Sequence, residues 1–244
     1  MKQLSMWIAL TSVIAASLAC AIPFGIRTIR GSGNVVTEER EVSGFDSVAL
    51  SAFGEVIISQ GDDESLTIET DDNLMPYIQT EVRNGTLELG WARNIVPVPS
   101  RSLVFRVSVK ELVALNSSGA GRFEIDELDT DRLNVNLSGA GDIKINSLTA
   151  TDLAITVSGA GNVEVAGAVE TQEISLSGLG NYVAPDLESQ AATVRISGAG
   201  DTSIWVQDSL DVVISGAGNV DYFGSPQVTK EISGVGGVTS RGDK

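Results

Sequence analysis

From about residue 110 onward, apolar residues fall at every second position in short runs, and each run breaks at the same four letters. Leu133, Val135 and Leu137 precede Ser-Gly-Ala-Gly, and Ile143 and Ile145 follow it. The same offsets hold Leu153, Ile155 and Val157, then Leu210, Val212 and Ile214, before other copies. They hold Phe123 and Ile125, Val163 and Val165, and Val220 and Tyr222 after them, with Leu128, Leu148 and Leu187 further on. Alternation with a period of two is the signature of a strand that turns one face inward. Ser-Gly-x-Gly starts at Ser118, Ser138, Ser158, Ser177, Ser197, Ser215 and Ser233, at spacings of 20, 20, 19, 20, 18 and 18 residues. Such a unit is too short to bury its own apolar face. It suits one coil of a solenoid, whose neighbour stacks at about 4.8 Å. The Val, Ile and Gly content disfavours helix, and a propeller blade needs about 40 residues. The pattern predicts an all-β, single-stranded parallel β-helix with coils of about 18–20 residues, right-handed by the general preference of parallel crossovers.

The repeated glycines are Gly119, Gly121, Gly139, Gly141, Gly159, Gly161, Gly178, Gly180, Gly198, Gly200, Gly216 and Gly218. They are expected at corners, where a positive φ would demand glycine. The residue between them is Ala in five of seven copies, with Leu179 and Val235 as exceptions, which suggests that a small side chain is wanted. The serines are expected to hydrogen-bond to one another along their column.

Before the regular array the pattern loosens. Residues 45–59, FDSVALSAFGEVIIS, carry Val48, Leu50, Val56 and Ile58 at the array's offsets from Ser51 and read as a degenerate first coil. Strands are predicted at 65–70, 78–83 and 103–109, with a hairpin turn at RNGT (83–86). A Pro-rich loop falls at 95–100. The expected organisation is a targeting segment over 1–21, a linker over 22–41, an irregular β-rich region over 42–117 and the regular array over 118–240. The irregular region suits the cap that an open solenoid end requires.

Charge and composition narrow the chemistry. The net charge is −16, with no histidine and one cysteine, Cys20. Such acidity argues against a nucleic-acid or anionic-lipid surface. It leaves cationic partners and divalent ions open. A lone cysteine permits no intrachain disulfide and no Cys-based zinc site. Lys2 followed by the apolar run Leu4–Ala19 reads as a targeting segment. SLAC (17–20) resembles a lipoprotein lipobox, with Cys20 as the lipidated residue, although Ser17 stands where an aliphatic residue is usual. ACA (19–21) offers a rival cleavage site, and the apolar run through Ile26 is long enough for an uncleaved anchor. All three place the remainder outside the cytoplasm, in the cell envelope or secreted.

Several patterns are candidate sites. Arg122, Asp142, Asn162, Asn181, Asp201 and Asn219 stand four places after successive serines. An Asp/Asn column can bind calcium, but Asp142 and Asp201 lie three coils apart, roughly 14 Å, too far to share an ion. The column is expected to be a structural ladder of stacked side chains. The acidic loops at Asp62–Asp63 and Asp71–Asp72 are candidate surface cation sites whose simpler role is as solvated loops. No Gly-x-Gly copy completes a phosphate-binding motif before a helix. Without histidine, Ser-His and Cys-His catalysis is excluded. RGD (241–243) is a tripeptide common by chance. No catalytic, cofactor or metal site is expected.

The segments FDSVALSAFGEVIIS and LVALNSSGAGRFEI (112–125), with the iterated SGAGD and SGAGN, resemble the bacterial family described as "Putative auto-transporter adhesin, head GIN domain", a domain of unknown function. The resemblance covers residues 34–239. It implies a β-helix exposed in the cell envelope and brings no catalytic residues. The expected function is that of a non-enzymatic interaction module. It would contact a protein or glycan at the cell surface and be held to the membrane by its N-terminal lipid or anchor. An envelope-sensing ectodomain and a polysaccharide-active β-helix enzyme are the alternatives.

If Cys20 carries the lipid, Cys20→Ala stops processing and leaves a precursor of higher mass. Normal maturation of the variant to a protein without lipid would instead assign cleavage to the ACA site.

Overall fold

The computed structural model describes residues 27–244; Cys20 and the targeting segment lie outside them. The chain is nearly all-β, a solenoid of about six turns with coils about 20 residues apart. Each regular coil has three sides. One strand leads into the Ser-Gly-x-Gly corner, one leaves it, and a third side closes the loop. The second and third sides often merge with the next leading strand into one long element, such as Asp142–Val157 or Asn181–Ile196.

Parallel pairing of like positions builds columns inside the coil. In the leading strands the column runs Leu87, Val48, Leu115, Val135, Ile155, Ile174, Val194, Val212. In the trailing strands it runs Phe105, Val56, Phe123, Ile143, Val163, Tyr182, Thr202, Val220. These residues are almost wholly buried. Each layer supplies the apolar lid for the one beneath, which is why no single coil could stand alone.

The order of layers departs from the order of sequence. Strands Ser47–Leu50 and Phe53–Gln60 form a coil, as expected, but not the end coil. One of its faces carries Thr86–Trp91 and Val104–Val109, and the other carries Ala114–Ser117 and Ala120–Ile125. The chain therefore enters the stack at its second layer, builds the outermost layer next, and then returns to build the array. Periodicity gives the coil but not its neighbours, because identical offsets fit either face.

The outermost layer is closed by antiparallel strands. Ile78–Arg83 pairs with Thr86–Trp91 through the expected hairpin, whose turn has Asn84 and Gly85 at φ 50° and 77°. On the adjacent side Ser65–Asp71 pairs with Val104–Val109, and Val35–Arg40 pairs with Ser65–Asp71. Residues expected to be linker thus form structure, since Val35–Arg40 covers an edge that would otherwise expose unpaired backbone groups. Arg27–Arg30 pairs in parallel with Ile95–Val98 in a separate two-stranded ribbon. The Pro-rich stretch expected as a loop therefore contains a strand. At the other end the leading strand Gln227–Ile232 is exposed along its whole length, and register places Lys230 above Val212.

Leu137 is 1 % exposed and Asn136 is exposed. Leu137→Asp is expected to cost more than about 3 kcal/mol, because it places an unpaired charge in the column. Asn136→Asp should stay within about 0.5 kcal/mol. Thermal unfolding of the two variants checks the assigned face.

Candidate functional site

The corners owe their glycines to crowding rather than to backbone torsion. None of the twelve repeated glycines has φ in the left-handed region; in these motifs only Gly54 of the early coil and Gly236 of the last do. At every one of the twelve, an added Cβ would intrude on a backbone carbonyl oxygen of the neighbouring coil: Gly119 O for Gly139, Gly139 O for Gly159, Gly141 O for Gly161. The corner backbones are hydrogen-bonded directly to one another. Ser138 N and Gly139 N both donate to Ser117 O, at 2.8 and 3.1 Å, and Ala140 N donates to Gly119 O at 2.9 Å. The expected positive φ is thus replaced by close approach as the cause. The serines also differ from expectation. Ser138 Oγ donates to Ser117 O at 3.3 Å, a carbonyl of the preceding coil and not another hydroxyl. The intervening residue points to solvent, with Leu179 71 % and Val235 76 % exposed, so its size is not restricted.

The Asp/Asn column is a ladder of side chains bonded coil to coil. Asn162 Nδ2 donates to Asp142 Oδ1 at 3.1 Å, and Asn181 Nδ2 donates to Asn162 Oδ1 at 3.0 Å. Asp201 N donates to Asn181 Oδ1 at 2.9 Å, and Asn219 N donates to Asp201 Oδ1 at 2.8 Å. Charged residues on the outer faces are paired in the same direction: Arg132 with Asp152 at 3.0 Å, Arg195 with Glu173 at 3.0 Å, and Arg122 with Asp142 at 3.6 Å. Among the described residues no group of three or more metal-ligating side chains converges. The RGD side chains are engaged as well. Arg241 donates to Asp221 and Asp243 accepts from Ser225, both at 2.7 Å. Lys244 pairs with Asp186 and lies over Trp205 and Phe223, 5.5 and 5.4 Å from the ring centroids.

The acidic stretch at Asp71–Asn73 is a latch. Asp71 is 1 % exposed. Its Oδ1 accepts from Gly33 N at 2.7 Å and Ser100 Oγ at 2.6 Å, and its Oδ2 accepts from Ser100 N at 2.8 Å. Burial pushes the carboxyl pKa up, but the donors from Ser100 and Gly33 outweigh it and hold Asp71 below the ordinary aspartate value. Asp72 accepts from Asn34 and Ser32, which lower its pKa, and Asn73 Nδ2 donates to Arg30 O at 2.7 Å. Carboxylate oxygens expected as possible cation ligands are therefore spent on fastening residues 30–34 and Ser100 to the cap.

Sequence reasoning missed a polar chain inside the solenoid. Tyr182 OH donates to Gln172 Oε1 at 3.1 Å, Gln172 Nε2 to Ser189 Oγ at 2.7 Å, and Ser189 Oγ to Trp205 O at 2.8 Å. Burial pushes the Tyr182 hydroxyl pKa up. The signal was present: Tyr and Gln interrupt columns that are otherwise mainly aliphatic.

A concave feature of mixed chemistry lies where the outermost coil loses its short corner. Residues 92–103 replace the four-residue turn and wall a groove of about 700 Å³. Phe53, Glu55, Arg101, Leu103, Arg122 and Asp142 line it, with the glycine corners as floor. It places a ring, two guanidinium groups and two carboxylates along one open channel, a set that can hydrogen-bond and stack on an extended polar ligand.

Comparison with known proteins came to the same fold. A family model described as "Putative auto-transporter adhesin, head GIN domain" matches residues 44–226. A crystal structure of a "putative adhesin" from Bacteroides fragilis superposes with a TM-score of 0.83 at 26 % identity, over 87 % of this chain and 99 % of that one. A "putative lipid binding protein" from Parabacteroides distasonis gives 0.70 at 25 % identity, over 88 % and 99 %. A "putative adhesin" from Parabacteroides merdae gives 0.71 at 20 % identity, over 88 % and 99 %, and shows the fold alone. A search of curated proteins found no match.

Variants at the corner and at the latch test the site's framework. Gly159→Ala should destabilise by about 1–3 kcal/mol or more, because the carbonyl it meets is fixed backbone, whereas Ala160→Ser should change little. Asp71→Asn should cost about 2 kcal/mol at neutral pH, since an amide cannot accept from donors on both sides. Because the folded pKa is lowered, the carboxylate's contribution is complete above the ordinary value of 3.8. It is lost as pH falls through the folded value. The difference between wild type and variant should therefore close in acid; a pH-independent difference in unfolding free energy would refute the charge-assisted latch.

Proposed function

The chain belongs to the family described as "Putative auto-transporter adhesin, head GIN domain", and on that premise we propose that it is a non-enzymatic rod that contacts a protein or glycan at the cell surface, held at the envelope by its N-terminus. The observation that carries this reading is how the outer faces use their functional groups. Acids, amides and arginines along the array are tied coil to coil, Asp142 to Asn162 and Arg132 to Asp152 among them. They stiffen a surface instead of converging on a reacting atom. Ten strands stacked on the leading face, from Ile78–Arg83 to Gln227–Ile232, make a rod of roughly 43 Å at 4.8 Å per layer. The groove beside residues 99–103 is the contact site this reading favours, with Arg101 and Arg122 as its anchors.

Adherence of cells carrying the protein, compared with a deletion strain, tests the proposal on surfaces coated with host or bacterial glycans and matrix proteins. Loss of adherence on deletion is expected. Arg122→Glu should reproduce it by tenfold or more with an unchanged melting temperature, because its exposed pair with Asp142 contributes little stability. Equal adherence of the deletion strain on every surface would overturn the proposal.

A further inference from the structure

Basic residues in this acidic chain are unevenly placed. Between Leu89 and Lys110 stand Arg93, Arg101, Arg106 and Lys110 with no Asp or Glu, and residues 27–37 hold Arg27 and Arg30, again without a carboxylate. The fold joins these two stretches. Arg27–Arg30 and Ile95–Val98 form the two-stranded ribbon, with Thr28 opposite Val96 and Arg30 opposite Val98. Alternation assigns the ribbon's faces. Ile29, Ile95 and Pro97 are half-buried or buried, while Val96 and Val98, on the other face with Arg30, are each 46 % exposed. Arg93 and Arg101 flank the second strand at either end. Among the described residues none of Arg27, Arg30, Arg93 and Arg101 makes an ion pair, although eight such pairs occur elsewhere. The Asp71–Asn73 latch fastens both strands of the ribbon just beyond their Arg30 and Val98 ends, through Gly33 and Ser100.

We propose that this ribbon docks on the headgroup region of an anionic bilayer, with Arg30 and Arg93 at the phosphates and Val96 and Val98 in the interface. Two exposed valines on a ribbon whose own two strands carry arginines and no carboxylate suit that surface, where each Arg contributes about 1 kcal/mol. The net charge of the whole chain, which argues against such contact, is carried by the array and the remaining cap. The placement rests on the envelope reading above. Cys20 is seven residues before Arg27, so a lipid there would keep the ribbon within roughly 25 Å of the bilayer. Docking would then hold the cap against the membrane and send the array outward.

Flotation of the full chain with vesicles of phosphatidylcholine alone, or with phosphatidylglycerol added, tests this at low salt. The readout is the ratio of binding to the two compositions, to which the N-terminal apolar segment contributes equally in every variant. Wild type should favour the anionic vesicles. Arg30→Gln and Arg93→Gln should each lower the ratio about fivefold, and roughly 25-fold together. Val96→Ser with Val98→Ser should weaken binding to both compositions. Arg195→Gln, on the array, should leave the ratio unchanged. Unaltered thermal unfolding is expected for all of them, since these side chains are exposed. An unchanged ratio in the double arginine variant, or an equal fall in Arg195→Gln, overturns the proposal. So does self-association lost in the same arginine variants, which would assign the ribbon to the acidic array of a second copy. Failure of the lipid anchor is distinguished by normal maturation of Cys20→Ala, while the vesicle ratio reports the ribbon alone.

Discussion

The structure depends on how closely one coil can lie on the next. Strand pairing fixes the layer separation at about 4.8 Å, and at the corner the chain keeps that spacing while changing direction. Backbone then meets backbone, and Ala140 N reaches Gly119 O at 2.9 Å. A Cβ at Gly139 or Gly141 would occupy the space of the neighbouring carbonyl. A nearly constant period of 18–20 residues follows, since each corner must sit directly over the last. The aliphatic columns inside and the Asp/Asn ladder outside inherit their alignment from it.

Much of this was legible in the sequence. The repeat of Ser-Gly-x-Gly with aliphatics at fixed offsets was enough for an all-β solenoid, for the inward positions such as Leu133 and Ile155, and for the structural role of the Asp142-to-Asn219 ladder. The cause of the glycines was not legible, because φ and steric crowding select the same residue; only the position of the neighbouring carbonyl separates them. Layer order was hidden for a related reason, since Val48 fits against Leu87 and Leu115 equally well.

The site was less legible than the fold. Asp71 and Asp72 looked like a solvated acidic loop because their partners, Gly33, Ser32 and Ser100, are remote in sequence. Ribbon pairing between Arg27–Arg30 and Ile95–Val98 leaves no periodic trace, being a single pair outside the repeat. The groove arises from the same departure: residues 92–103 interrupt the corner. Residues that repeat make the rod, and those that break the repeat supply its distinct surfaces.

The out-of-sequence layer has a kinetic consequence. Within the array each coil pairs with the one made about 20 residues earlier, so ordering can propagate along the chain as fast as segments become available. The coil at 47–60 has no such template. Both its flanking layers, at 86–109 and 114–125, come later in the chain, and joining them closes the longest loops in the solenoid. Loop closure of that kind sets the slow step in folding. A chain delivered from its N-terminus must therefore hold the coil at 47–60 unpaired until residues 86–109 arrive, and leave its other face uncovered until the array's first coil follows, which decouples the order of folding from the order of synthesis.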